Sequence, residues 1–159
     1  MLPRAFYLRP PDQVARELLG KVVVRRYEGR RLAGRIVEAE AYGGMDDPAA
    51  HAFAGKTARN AVLFGPPGFA YVYFIYGMHY CLNLNCEPEG QAGCVLLRAL
   101  EPLEGLATMA RLRGLDRGAD PRLLTSGPGR LCQALDIARE THNGLDATSR
   151  RSGLHVEDD

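Results

Sequence analysis

The chain has no tryptophan, no CxxC pair and no second histidine at metal-ligand spacing. Its cysteines, Cys81, Cys86, Cys94 and Cys132, therefore suggest buried thiols in a reducing compartment rather than a disulfide frame or a metal centre. No apolar run approaches the roughly 20 residues that a membrane span needs. The opening stretch MLPRAFYLRPPD is no signal peptide. Repeats, linkers and low-complexity segments are absent as well. These absences leave an intracellular chain with no membrane partner, no metal and no redox cofactor as the expectation.

Charge is also scarce in one sense: Lys+Arg number 20 and Asp+Glu 19, for a formal +1. This balance neither demands nor excludes a polyanion, so distribution matters more. Residues 21–35 hold Lys21, Arg25, Arg26, Arg30, Arg31 and Arg35 against Glu28 alone. A second basic set is Arg111, Arg113, Arg117, Arg122 and Arg130. Acids gather in Glu157, Asp158 and Asp159. Either basic run is as readily a solvated face as a phosphate-binding one.

At 159 residues and 46% apolar, the chain is long enough for one domain with one sizeable core. PPDQVARELLGK reads as a helix opened by Pro11 and closed by Gly20. KVVVRRYEGRRLAGRIVEAEAY reads as a hairpin turning near Glu28-Gly29. DDPAAHAFAGKTARNAVLFGPPG is loop with helical pieces expected near Asp47-Pro48 and Thr57. AYVYFIYGMHYCLNLNC is a second hairpin, GCVLLRALEP a strand and PLEGLATMARLRG a helix. Another helix is expected after the Gly-Pro-Gly turn of TSGPGRLCQALDI, while RRSGLHVEDD carries no clear signal. Tight turns between neighbouring strands imply an α+β domain with a largely antiparallel sheet.

Several residues could carry chemistry. Strand alternation puts Glu38, Glu40 and Tyr42 on one face and Val37, Ala39 and Ala41 on the other, which is the natural core side. Two acids and an aromatic then line either solvent or a cleft. Arg98 shares a face with Cys94 and Leu96. Its guanidinium either snorkels to water or pairs with a carboxylate such as Glu40. Tyr71 and Tyr73 share a face of the second hairpin, and Tyr76 sits before Gly77 at the turn. Core packing explains Tyr71 or Tyr80 easily and Tyr76 less well; an aromatic at a tip can wedge between stacked bases. His79, Cys81, Asn83 and Asn85 share one face of the return strand, where asparagine needs a reason to be. His51 lies in a loop, where a histidine is more often structural than catalytic. SGPGR offers backbone N–H groups, a weak anion signal when alone. An acid to activate water, rings to sandwich a base, a tip to fill a helix and arginines for phosphates together form the equipment for extruding a nucleobase from duplex DNA.

On these residues the chain resembles the alkyladenine (3-methyladenine) DNA glycosylase family. The stretches are ARELLGKVVVRR, GRIVEAEAYGG, DDPAAHAF, TARNAVLFGPPGFAYVYFIYGMHYCLNLNC, GCVLLRALEPLEG and TSGPGRLCQAL, covering residues from about 14 to about 137 in the family's order. The resemblance implies one mixed domain with a curved antiparallel sheet, acting on double-stranded DNA with damaged bases and needing no cofactor. It implies Glu40 as the general base that activates water for attack on the sugar C1′, and Arg98 as the arginine holding that water and the acid. It further implies Tyr42, Tyr73 and His51 around the flipped base. Tyr76 would enter the minor groove, and Asn83 would disfavour guanine by its bulk near the purine 2-position. An N-alkylated purine is already a good leaving group. Positioning water and stabilising an oxocarbenium-like sugar then suffice. Hypoxanthine or ethenoadenine would need a protonated leaving group, and no second acid is evident.

No lysine lies near these positions, which implies a monofunctional enzyme without a Schiff base. A monomer is the simplest state. Family members usually continue for some tens of residues past the LCQAL helix, so the chain is expected to be short at its C-terminal end. His79 stands where many relatives carry another aromatic. The alternatives are a catalytically impaired lesion-DNA-binding module and a single-strand binder that uses its tyrosines as a stacking platform.

Overall fold

A computed structural model describes residues 1–159. Helices α1 (Arg4–Tyr7) and α2 (Pro11–Leu18) lead into strands β1 (Val22–Tyr27) and β2 (Arg30–Tyr42). A 3-10 turn at Ala61–Phe64 precedes β3 (Ala70–Ile75), β4 (His79–Asn85) and β5 (Cys94–Glu104). Helices α3 (Leu106–Leu112), α4 (Arg122–Thr125), α5 (Pro128–Ala134) and α6 (Arg139–His142) follow. A second 3-10 turn (Arg150–Ser152) then leads to β6 (Leu154–Glu157). The strands form one curled sheet in the order β3-β4-β5-β2-β1-β6, antiparallel at every pairing. The fold is therefore α+β, as the spacing of turns implied.

The sheet has two working faces. On one, Val72, Leu82, Leu84, Val95 and Leu97 pack with Val14 and Leu18 of α2, Met109 of α3, Leu124 of α4 and Leu131 of α5. The other face carries a smaller cluster of Tyr71, Cys94, Ala52, Leu63 and Ala92, with Tyr42 and Tyr73 against it. Strand alternation explains the division, since neighbours along β3, β4 and β5 point to opposite sides. At α2, Pro11 occupies the first turn, where its missing N–H costs nothing.

The expected alternation of β2 fails at one place. Ile36 pairs with Leu100, Glu38 with Ala99 and Ala39 with Leu97, so Val37 and Arg98 are each passed over. A bulge lies on each strand. Val37 is consequently 49% exposed rather than core-facing, and Ala41 is exposed too; only Ala39 of the expected apolar side packs on the main core.

Three further expectations need correction. The loop near Asp47-Pro48 and Thr57 forms turns, and its helical piece comes later, at Ala61–Phe64. Helix α5 includes Pro128 and Gly129 instead of following them. The tail without a signal is a strand: β6 pairs with β1 from Val22↔Glu157 to Arg25↔Leu154, and Leu154 and Val156 enter the core. The tail also neutralises much of the first basic run. Lys21 meets Asp158 at 2.5 Å, Arg35 meets Asp159 at 2.5 Å and Glu101, and Arg31 meets Glu104 at 3.1 Å and Glu157. The solvated, ion-paired reading holds for these three residues.

Hairpin β3–β4 turns through Tyr76 (φ 54°) and Gly77 (φ 69°), and Met78 N–H donates to the Ile75 carbonyl at 3.3 Å. Both central residues are left-handed. Such a two-residue turn favours Asn-Gly, so tyrosine sits there at a cost of about 1–2 kcal/mol. Tyr76→Asn should therefore stabilise the fold by about 0.5–1 kcal/mol, since asparagine tolerates this region better. The check is a higher urea midpoint at unchanged slope. Leu154→Ala should do the opposite and cost about 2–5 kcal/mol, read in the same titration.

Candidate active site

β2 and β5 are direct neighbours, so their site-facing residues converge. Arg98 Nη1 lies 3.1 Å from Glu40 Oε1. Tyr42 donates its hydroxyl to Glu40 Oε2 at 2.6 Å. Each carboxylate oxygen thus has one partner, and the acid is held from two sides. The Glu40 contact, then burial, pushes the Tyr42 hydroxyl up to about 12, so it remains a donor at neutral pH. Of the open readings for Glu40 and Arg98, the structure takes the cleft wall and the ion pair.

Two adjoining hollows meet at this pair. A cleft of about 540 Å³ is lined by Glu40, Arg98, Tyr42, Tyr73, Tyr76, His79 and Arg130, together with Ser126–Gly129 of the TSGPGR stretch. A narrower pocket of about 70 Å³ is lined by Tyr42, Ala49, His51, Tyr71, Tyr73, Asn83 and Cys94. Tyr42 and Tyr73 line both hollows and so form the threshold between them. Glu40 belongs to the cleft and Asn83 to the pocket. The second core cluster therefore doubles as the pocket wall.

Aromatic contacts organise that wall. The His51 and Tyr73 rings lie 4.3 Å apart at 55°, and Tyr71 meets His51 edge-on at 5.9 Å. His51 Nδ1 and the Tyr71 hydroxyl share a hydrogen bond of 2.9 Å. Burial, and Arg59 secondarily, lower the His51 pKa from 6.5, which keeps the ring neutral. Burial also raises the Tyr73 hydroxyl pKa, with Cys81 adding to the effect. Asn83 is buried and donates Nδ2 to the Tyr71 carbonyl at 3.3 Å.

Tyr76 is 86% exposed and lines the cleft at the hairpin tip, so it is far from the core packing that suits Tyr71. Asn85, by contrast, is structural: it donates to the Val62 carbonyl and ties down the 3-10 turn. His79 packs beside Gly129, where an added Cβ would come within 3.0 Å of the ring. That close approach explains a glycine in the first turn of α5.

The loop carrying His51 is held by residues that the sequence reading passed over. Asn60 donates to the carbonyls of His51 and Gly55, each at 3.0 Å, and accepts from Thr57 N–H at 2.6 Å. Asp47 accepts from the N–H groups of Gly43 at 2.8 Å and Ala49 at 2.9 Å. An Asp or Asn that bonds to nearby backbone is a recognised loop device, and this was the available signal. Cys94, read as an ordinary buried thiol, lines the pocket and reaches Asn83 Oδ1 at 3.6 Å. No group of three or more His, Cys, Asp or Glu side chains could hold a metal ion. No helix is long and apolar enough to cross a membrane.

Comparison with known proteins gives this geometry a family. The methylpurine-DNA glycosylase family model matches residues 5–159. A protein of Koribacter versatilis (strain Ellin345) is 62% identical over 99% of this chain and 76% of its own length. One from Methanocella arvoryzae is 51% identical over 99% of this chain and 77% of its own. One from Carboxydothermus hydrogenoformans is 52% identical over 93% and 75%. All three carry the name "Putative 3-methyladenine DNA glycosylase". The chain spans about three quarters of the length of these relatives. The chain belongs to the methylpurine-DNA glycosylase family of hydrolytic DNA glycosylases.

Proposed function

We propose that the protein flips alkylated purines of the 3-methyladenine class out of damaged duplex DNA and hydrolyses their glycosidic bond, opening base excision repair. The observation that carries this reading is Glu40, held by Arg98 and Tyr42, at the mouth of an aromatic pocket whose outer rim bears the exposed Tyr76. All of these groups come from one chain, which suits a monomer.

Glu40 acts as general base. One carboxylate oxygen takes the proton of a water that attacks C1′, while the negative charge stabilises the positive sugar. Arg98 orients the acid. The extruded base enters past Tyr42 and Tyr73, and a cationic ring gains about 0.5–2 kcal/mol from their faces. The neutral His51 adds no opposing charge. Tyr76 fills the space that the base leaves. Arg130, exposed on the cleft wall, is suited to a backbone phosphate.

Glu40→Gln keeps the shape and removes the base. Single-turnover excision from a methylated-purine duplex should fall by about 10²–10⁴-fold, while binding to that duplex persists. Equal activity in Glu40→Gln would remove Glu40 from this role. Binding by the intact protein without excision would instead favour a lesion-binding module.

His51 predicts a pH effect of defined sign. Its folded pKa is depressed, so the neutral ring persists to pH values below 6.5 and gains a proton only as pH falls through the lowered value. An imidazolium would then oppose a cationic purine but not a neutral one. The excision ratio of cationic to neutral lesion, for example ethenoadenine, should therefore drop in acid. In His51→Asn that drop should vanish.

A further inference from the structure

We propose that Cys94 is a positioning residue for lesion selectivity: its thiol occupies the acceptor of Asn83, so that guanine's 2-amino group finds no partner in the pocket. The inference rests on the pocket reading above and assigns a role to a residue outside the proposed catalytic and stacking set.

The geometry leaves Asn83 little choice. The Tyr71 carbonyl can only accept, so the amide nitrogen of Asn83 must face it, and Nδ2 donates there at 3.3 Å. The amide oxygen is thereby turned to the other side. Cys94 Sγ stands there at 3.6 Å. Burial raises the thiol pKa to about 12, so the proton stays on sulfur and the thiol is a donor. Cys94 starts the central strand β5 and lies opposite both Tyr42 on β2 and Asn85 on β4. It thus joins the wall that carries Tyr42 to the strand that carries Asn83, and it is buried with little room to turn.

The consequence is chemical rather than steric. Guanine differs from adenine-type purines in carrying a 2-amino donor. Burying that donor without an acceptor is costly. Asn83 Oδ1 is the side-chain acceptor of the pocket floor, and Cys94 holds it. Removing the thiol frees the oxygen to accept from the guanine amine.

The test is the ratio of guanine excision to methylated-purine excision, measured by single turnover in otherwise identical duplexes with a thymine opposite the target. Cys94→Ala and Cys94→Val should both raise the ratio by roughly tenfold, the scale of one hydrogen bond. Cys94→Ser keeps a donor and should hold the ratio within about threefold of the starting protein. In an Asn83→Ala background, replacing Cys94 should change the ratio no further. A rise in Cys94→Ala but not in Cys94→Val would assign the effect to added space and overturn the proposal. An unchanged ratio in both, with the starting protein active, would overturn it while leaving the excision reading intact. A starting protein that releases no methylated purine would overturn both.

Discussion

The site depends on a paired irregularity between β2 and β5. Up to Ile36 the even-numbered residues of β2 face the main core, as Leu32 and Ile36 do. Had that alternation continued, Glu40 would point into hydrocarbon. The bulge at Val37 sends two successive residues outward and returns the core side to Ala39, so Glu40 and Tyr42 emerge on the cleft side. The matching bulge at Arg98 does the same on β5, where core residues change from Val95 and Leu97 to Leu100. One extra residue on each strand leaves the overall register unchanged. The result is an acid and a guanidinium brought to 3.1 Å across two strands without disturbing the hydrophobic core beneath.

A second consequence follows from the two-faced sheet. One face spends its strand residues on a large aliphatic core; the other spends Tyr71, Tyr73, Asn83 and Cys94 on a small pocket. The pocket is therefore built on rigid strands, with only His51 supplied by a loop. That loop is fastened at several backbone groups by Asn60 and Asp47. Functional side chains are thus held by a supporting shell whose own partners are fixed, the arrangement that preorganised chemistry requires.

What could be read in the sequence follows the range of the forces involved. The hairpins were legible because their turns and alternation are local signals, and the turn at Tyr76-Gly77 fell where Gly77 indicated. The pairing of Glu40 with Arg98 was legible as an option, because a half-buried guanidinium seeks a carboxylate. The bulge was not, since Val37 looks like any core valine until its partner strand is known. Nor was β6: four residues cannot display a period, and Leu154 and Val156 gain meaning only beside β1. The arginines of β1 and β2 looked like a phosphate surface for the same reason. Their acids lie on β5 and in the tail, far away along the chain.

Tyr76 joins folding energetics to the proposed function. In the free protein it is unfavourable twice over, with a left-handed backbone that suits asparagine and a ring left 86% exposed. Met78 and Phe74 are also exposed on the hairpin, so the apolar surface extends beyond one side chain. No contact within the fold offsets either cost. Inside a duplex, the same ring would be buried against bases and the same turn would hold it clear of the sheet. The penalty is borne by the free state and relieved in the complex, so it adds to the difference between a gap that accepts the ring and an intact stack that does not. A more stable turn residue would therefore weaken the discrimination that the hairpin is shaped to make.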